Sequence, residues 1–260
     1  MKIHYVIATY LGPRRIDPMP HDPLCHVKLH LKFLKKYPNV VHKSTIVCNQ
    51  YDPILEEQLI TLTQNTNTEL ILRENKGCSY AAWEQAVIQN LFQNFDYHFL
   101  IEDDYIPLDQ NFLQPYLYKS GPNIAYTCSL AKNFPTQRHA GISNGLLSNQ
   151  LAEEIYKNNH ALFHLKTKNT PELQKRFKNT HKEYGICEYN QVFFLDPFTN
   201  EGYKINHVAD VSKIYNQCLS IAQKIPTPGN VGLGFNVLGT KQGYTSNVPD
   251  SLFLAHHKLS

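Results

Sequence analysis

Four apolar runs separated by helix-patterned segments constrain this chain more than any other feature. KIHYVIATY (2–10), KSTIVCNQ (43–50), TELILRE (68–74) and DYHFLIEDDYIP (96–107) are rich in β-branched and aromatic residues. Their apolar stretches are continuous, the pattern of strands covered on both faces. Between them Asp22-Pro23 and Asp52-Pro53 supply helix starts, with Asp as cap and Pro at the first helical position. Leu24, Val27, Leu31 and Leu34 then share one helical face, as do Leu55, Leu59 and Leu62. A third helix is expected over 80–93, burying Ala82, Trp83, Ala86, Val87, Leu91 and Phe92, and NIAYTCSL (123–130) reads as a fifth strand. The order predicts an α/β fold, a mainly parallel Rossmann-like sheet with helices on both faces. Ligands of such sheets bind beyond the carboxyl ends of the strands.

The second half is less regular. SNQLAEEIYKNN reads as a helix after Ser148, Thr170-Pro171-Glu172 opens another, and VADVSKIYNQCLSIAQK reads as a helix capped by Asp210. GICEYNQVFFLDP fits a helix or a strand. The glycine-rich stretch 226–249 reads as loops, short strands or a closing flap.

With 42% hydrophobic residues over 260 positions, the chain has material for a sizeable core. Its net charge of +3 carries no general nucleic-acid signature. Apolar stretches such as YHFLI fall far short of the roughly 18 residues a spanning helix needs. The N-terminus reads as a buried strand rather than a signal peptide. Six cysteines, with no CxxC pair, read as reduced core thiols of a cytoplasmic protein. No Walker loop, HExxH or strand-flanked GxGxxG is present.

The chemistry concentrates in Glu102-Asp103-Asp104, where an apolar strand runs straight into acids. Adjacent carboxylates repel one another unless a cation or hydrogen-bond donors compensate. Oxygen ligands suit Mn²⁺ or Mg²⁺, which typically takes one or two protein carboxylates and fills its shell with water and diphosphate oxygens. Thr9-Tyr10 and Asn49 to Asp52 form two further polar clusters at strand ends.

The order strand, N-x-G-x-S loop (Asn75, Gly77, Ser79), small-residue helix, apolar strand, acids resembles the GT-A glycosyltransferases, family 2 in particular. The resemblance covers residues 1–130 and implies a nucleotide-sugar-binding half there, with 131–260 as the acceptor half and C-terminal extension. It implies transfer of a sugar from a nucleotide-diphosphate donor to a glycan or other hydroxyl acceptor, with inversion and a divalent cation. Glu102 and Asp104 stand at the outer positions of the DxD-type motif, so the resemblance places them on the metal. It places Thr9, Tyr10, Asp52, Lys76, Gly77, Glu102 and Asp103 around the donor, with Arg73 nearby. Glu188 stands in the position of the general base, with Asp196 as the fallback. His257, or His256 or His207, is the candidate late metal ligand, and Ser143 and Asn144 the candidate acceptor contacts. Two other readings remain open: nucleotidyl transfer to a sugar phosphate, and a catalytically inactive nucleotide-sugar-binding module.

Overall fold

In the computed structural model, residues 1–11, 22–50, 52–103, 105–107, 110–131, 144–168, 170–171, 173, 184–210 and 254–256 are described. Each apolar run forms a strand: β1 (Ile3–Tyr10), β2 (Lys43–Asn49), β3 (Thr68–Arg73) and β4 (Tyr97–Glu102). Helices α1 (Cys25–Lys36), α2 (Pro53–Thr63) and α3 (Cys78–Asn90) connect them. There follow β5 (Tyr105–Pro107), α4 (Gln114–Lys119), β6 (Ile124–Ala131), β7 (Asn144–Ser148) and α5 (Asn149–Asn159). The chain continues through α6 (Tyr184–Phe193), α7 (Asp196–Asn200), β8 (Lys204–Asp210) and β9 (Leu254–His256).

Seven strands make one sheet in the order β3-β2-β1-β4-β7-β6-β8, and β5 and β9 make a two-stranded one. Of the seven, only β7 is reversed, pairing antiparallel with both β4 and β6. Both faces are covered, as the continuous apolar strands require. Tyr5, Ile7, Phe99 and Ile101 pack with Leu24, Val27, Phe33 and Leu59 under α1 and α2. Their strand neighbours Val6, Ala8 and Leu100 point the other way, onto Trp83, Ala86 and Val87 of α3 and Leu151 and Ile155 of α5. Trp83 is fully buried, and its indole N–H donates to the Ile101 carbonyl at 3.2 Å.

Gly145 is where β7 passes under an aromatic ring. A Cβ there would sit 2.3 Å from the Tyr126 ring, so only glycine fits.

Three sequence expectations are corrected. Asp22 does not cap α1 directly. Its side chain accepts from Leu24 N at 3.0 Å, and the helix begins at Cys25. Phe92 is 64% exposed, because α3 has already ended. Residues 208–210 belong to β8, paired with β6, rather than to a helix, and residues 211–224 lie outside the described set. GICEYNQVF, ambiguous in sequence, is helical.

The sheet's interior holds two histidines. His4 Nδ1 meets His98 Nδ1 at 2.9 Å, His4 Nε2 meets Thr45 Oγ1 at 2.8 Å, and His98 Nε2 meets Asn149 Oδ1 at 2.6 Å. Asn149 Oδ1 only accepts, so His98 Nε2 carries a hydrogen; with both rings neutral, His98 Nδ1 accepts from His4 Nδ1–H, and His4 Nε2 shares the single Thr45 hydroxyl hydrogen with the Glu69 carboxylate at 3.3 Å. Burial holds both rings below the usual range, His98 at about 4. The unfolded chain therefore binds protons that the folded one refuses. The stability from neutral burial is fully present above about pH 6.5 and is lost as pH falls toward the folded values. We expect His98 alone to cost about 2 kcal/mol between pH 7 and 5 in urea unfolding. A midpoint that stays constant over that range contradicts the assignment.

Candidate active site

Because β1 to β4 are mutually parallel, their carboxyl ends share one edge. Tyr10 lies beside Asn49, Asn49 beside Arg73, and Ala8 beside Glu102. The reversed β7 begins at this edge, with Asn144 opposite Ile101. The structure thus brings Thr9, Gly77, Glu102 and Asp103 to one rim.

The acids divide. Asp103 is buried, and its Oδ2 accepts from the Thr9 hydroxyl at 2.6 Å. His26 Nδ1 of α1 lies 4.0 Å from the same oxygen. The Asp103 N–H donates to the Ala8 carbonyl at 3.0 Å. The Asp103 carbonyl lies 3.0 Å from His30 Nε2, which must carry the hydrogen; His30 Nδ1 then accepts from the Tyr5 hydroxyl at 2.9 Å. Glu102 is half-buried and accepts from the Ser79 hydroxyl on the first turn of α3. Burial, with the Glu102 charge added, raises the Tyr80 phenol well above its ordinary value. Asp104 lies outside the described residues, as do Ser143 and His257, and for Glu188 and His256 the backbone alone is described.

The loop before α3 is held from several sides. Arg73 donates to Gln85 at 3.0 Å, to Asn49 at 2.5 Å and to the Lys76 carbonyl at 3.0 Å. Burial lowers its pKa, partly offset by Glu84. Lys76 is exposed and paired with Glu74. Gly77 has φ +84°, and a Cβ on it would meet the Ala81 side chain at 2.8 Å. Its carbonyl accepts from Asn190 of α6 at 3.1 Å. The Asn190 amide is fully buried; it also donates to the Lys166 carbonyl at 3.1 Å and accepts from the Lys166 N–H at 2.7 Å. One turn away, Cys78 and Cys187 form a disulfide across a 109-residue separation. This corrects the reading of all cysteines as reduced thiols. Cys25, Cys48 and Cys128 are not disulfide-bonded, and Cys218 lies outside the described residues. No spacing rule in the sequence connects positions so far apart.

Other candidates sit as follows. Asp52 is exposed and caps α2, accepting from Ile54 N at 2.8 Å. Tyr10 reaches Gln50 at 3.3 Å. Asn144 is buried, its Oδ1 accepting from the Tyr116 hydroxyl at 2.8 Å. His207 lies in β8 opposite Cys128. Asp196 opens α7, 3.6 Å from His164 Nδ1, while His164 Nε2 lies 3.2 Å from the Tyr189 hydroxyl. Sequence reasoning passed over His164, Asn190 and His30, whose roles depend on partners distant in the chain.

No protein-family model matches this chain, and no curated protein matches its sequence. Solved structures with similar shape include a CMP:2-keto-3-deoxy-manno-octonic acid synthetase complexed with CTP. It is 11% identical, with 86% of this chain and 100% of that one covered and a TM-score of 0.46. A mannosyltransferase from Pyrobaculum calidifontis, in complex with GDP-Man and Mn²⁺, is also 11% identical, with 90% and 63% covered and a TM-score of 0.44. Glucosyl-3-phosphoglycerate synthase from Mycobacterium tuberculosis, with Mn²⁺, UDP and phosphoglyceric acid, is 12% identical, with 58% and 57% covered and a TM-score of 0.38. These neighbours are transferases, both nucleotidyl and glycosyl. Likeness at this level assigns no activity.

Two substitutions test the packing of the rim. Thr9→Val removes the donor to a buried carboxylate at nearly constant volume and is expected to cost about 2 kcal/mol in denaturant unfolding. Asn190→Ala orphans both polar groups of Lys166 and is expected to cost about 2 kcal/mol as well. A loss below about 0.5 kcal/mol in either would show that the contact does not hold the rim together.

Proposed function

We propose that the chain is a glycosyltransferase that moves a sugar from a nucleotide-diphosphate donor to a hydroxyl-bearing acceptor, with inversion and with help from a divalent cation. The observation that carries this reading is the pairing of β5 with β9 directly after the acidic triplet. Tyr105 stands opposite His256, so the chain's late histidine pair begins beside the residue that follows Asp104. The acidic strand end and a late histidine-bearing strand thus meet from segments about 150 residues apart. Glu102, one residue before the buried Asp103, keeps a half-buried carboxylate at the same edge.

In this reading residues 1–130 bind the donor, and 131–260 bind the acceptor and close the site. Thr9 and Tyr10 border the base and ribose, with Asp52 beside them. Lys76 and Gly77 lie toward the diphosphate, where Lys76 exchanges its partner Glu74 for phosphate charge. Carboxylate oxygens and an imidazole suit Mn²⁺ or Mg²⁺. Glu102, Asp104 and His257 would hold the ion, which neutralises charge on the leaving diphosphate. Asp103 works from beneath, its carboxylate committed to Thr9. Glu188 takes the proton of the acceptor hydroxyl as that oxygen bonds to the sugar carbon and the carbon–diphosphate bond breaks. Ser143 and Asn144 lie on the acceptor side.

Thermal-shift titration with UDP-, GDP- and CMP-sugars, each with Mn²⁺ and with EDTA, tests the donor site. A donor at about a hundredfold above its Kd should add roughly 2.7 kcal/mol of apparent stability. The shift should need the metal and vanish in Asp104→Ala. A shift with CTP alone would instead favour nucleotidyl transfer, and a flat panel would sink the donor-site reading.

A further inference from the structure

We infer that Cys78–Cys187 is a redox modification site, a disulfide whose reduction by an external dithiol frees the first turn of α6 from the donor loop. The inference deepens the proposed function, since α6 carries Glu188 and the loop carries Lys76 and Gly77.

The cross-link joins two elements that have different anchors elsewhere. The second half of α6 is fixed independently: Asn190 is bonded to Gly77 and Lys166, and Phe194, just past the helix, packs on Tyr80, Tyr126 and Phe163. In the first turn, Cys187 is the residue with a described covalent tie. Removing that tie leaves Asn190 and Phe194 in place. The predicted effect is therefore local, confined to 184–189 and to the loop at 76–79.

The loop side is poised to respond. Cys78 has φ +56°, directly after Gly77 at φ +84°. A left-handed conformation is unfavourable for a non-glycine residue, and both the cross-link and the Asn49 amide, which donates to the Cys78 carbonyl at 3.3 Å, bear on it. Once the sulfur is released, Cys78 can relax to an ordinary helix-start conformation, shifting the backbone of Gly77 and Ser79. Ser79 is the hydroxyl on Glu102, so the change reaches the acidic rim through one hydrogen bond.

The chemistry balances as thiol–disulfide exchange. A thiolate of the dithiol attacks one sulfur, the other leaves as a cysteine thiolate, and a mixed disulfide forms. The second thiol of the reagent then displaces the remaining cysteine. Two electrons and two protons pass from the dithiol to the protein, and the reagent becomes a cyclic disulfide. Cys78 and Cys187 are both partly exposed and so within reach of such a reagent. Cys48, by contrast, is buried; burial and the Asp103 charge push its thiol up to about 12, which keeps it out of the exchange.

Hydrogen exchange on the full chain, oxidised and then treated with dithiothreitol, is the test, with non-reducing peptide mapping to follow the cross-link. The amides of 188 and 189, whose helical acceptors lie in the first turn of α6, and of Ala81, which donates to the Gly77 carbonyl at 3.3 Å, should exchange at least tenfold faster after reduction, while those of β1 and β4 stay unchanged. Reoxidation should reverse the change. Cys187→Ser should show the fast exchange without reductant, and Cys25→Ser should not. Free thiols at 78 and 187 under oxidising conditions, or exchange that ignores the reductant, would overturn the inference. Because this readout needs no nucleotide, a responsive helix in a protein that binds no donor would leave the redox site standing and remove the glycosyltransferase reading.

Discussion

A buried carboxylate needs hydrogen-bond donors, and the way Asp103 obtains them fixes the functional edge. A charge taken out of water without partners is too costly to keep. Asp103 is satisfied by the hydroxyl of Thr9 on β1, with His26 of α1 nearby, while its backbone is tied to Ala8 and His30. The end of β1, the face of α1 and the acidic turn after β4 therefore hold one another in place. Moving any one of them disrupts a contact of Asp103. That arrangement directs the middle carboxylate inward and keeps its neighbour Glu102 at the rim.

A second set of constraints acts on the other side of the same edge. Arg73 ties the ends of β2 and β3 to the loop before α3. Glu84 accepts from the backbone of Leu162 and Phe163 at 2.9 Å each, fastening the segment after α5 onto α3. Burial raises the Glu84 pKa, opposed by those two N–H groups and by Arg73. Asn190 and the disulfide then add α6. Polar groups do most of this work, so the rim owes its shape to specific partners, where the sheet beneath owes its own to apolar area.

The parts legible in the sequence are those set by local rules. Strands β1 to β4 announced themselves through continuous apolar runs, and Asp52-Pro53 marked the start of α2 because cap and ring act within three residues. The acidic triplet was visible because acids after an apolar run are unusual. What could not be read depended on distance. Reversal of β7, strand pairing at Ala209 and Asp210 and the Cys78–Cys187 link each join segments far apart in the chain. The histidines were hidden for a related reason: His4, His30 and His98 look like polar interruptions until their partners appear. Phe92 was misplaced because helical periodicity says which face is apolar but not where the helix stops.

The contact between Gly145 and Tyr126 bears on how this sequence can drift. A ring occupying the space of an absent Cβ makes the two positions a single evolutionary unit. Neither can change alone without a clash or a void. Homologous chains should keep glycine at 145 wherever an aromatic stands at 126, and a small side chain at 126 should release 145 to vary. Covariation between β6 and β7 would then trace one of the two antiparallel seams of the sheet in sequences whose structures are not in hand.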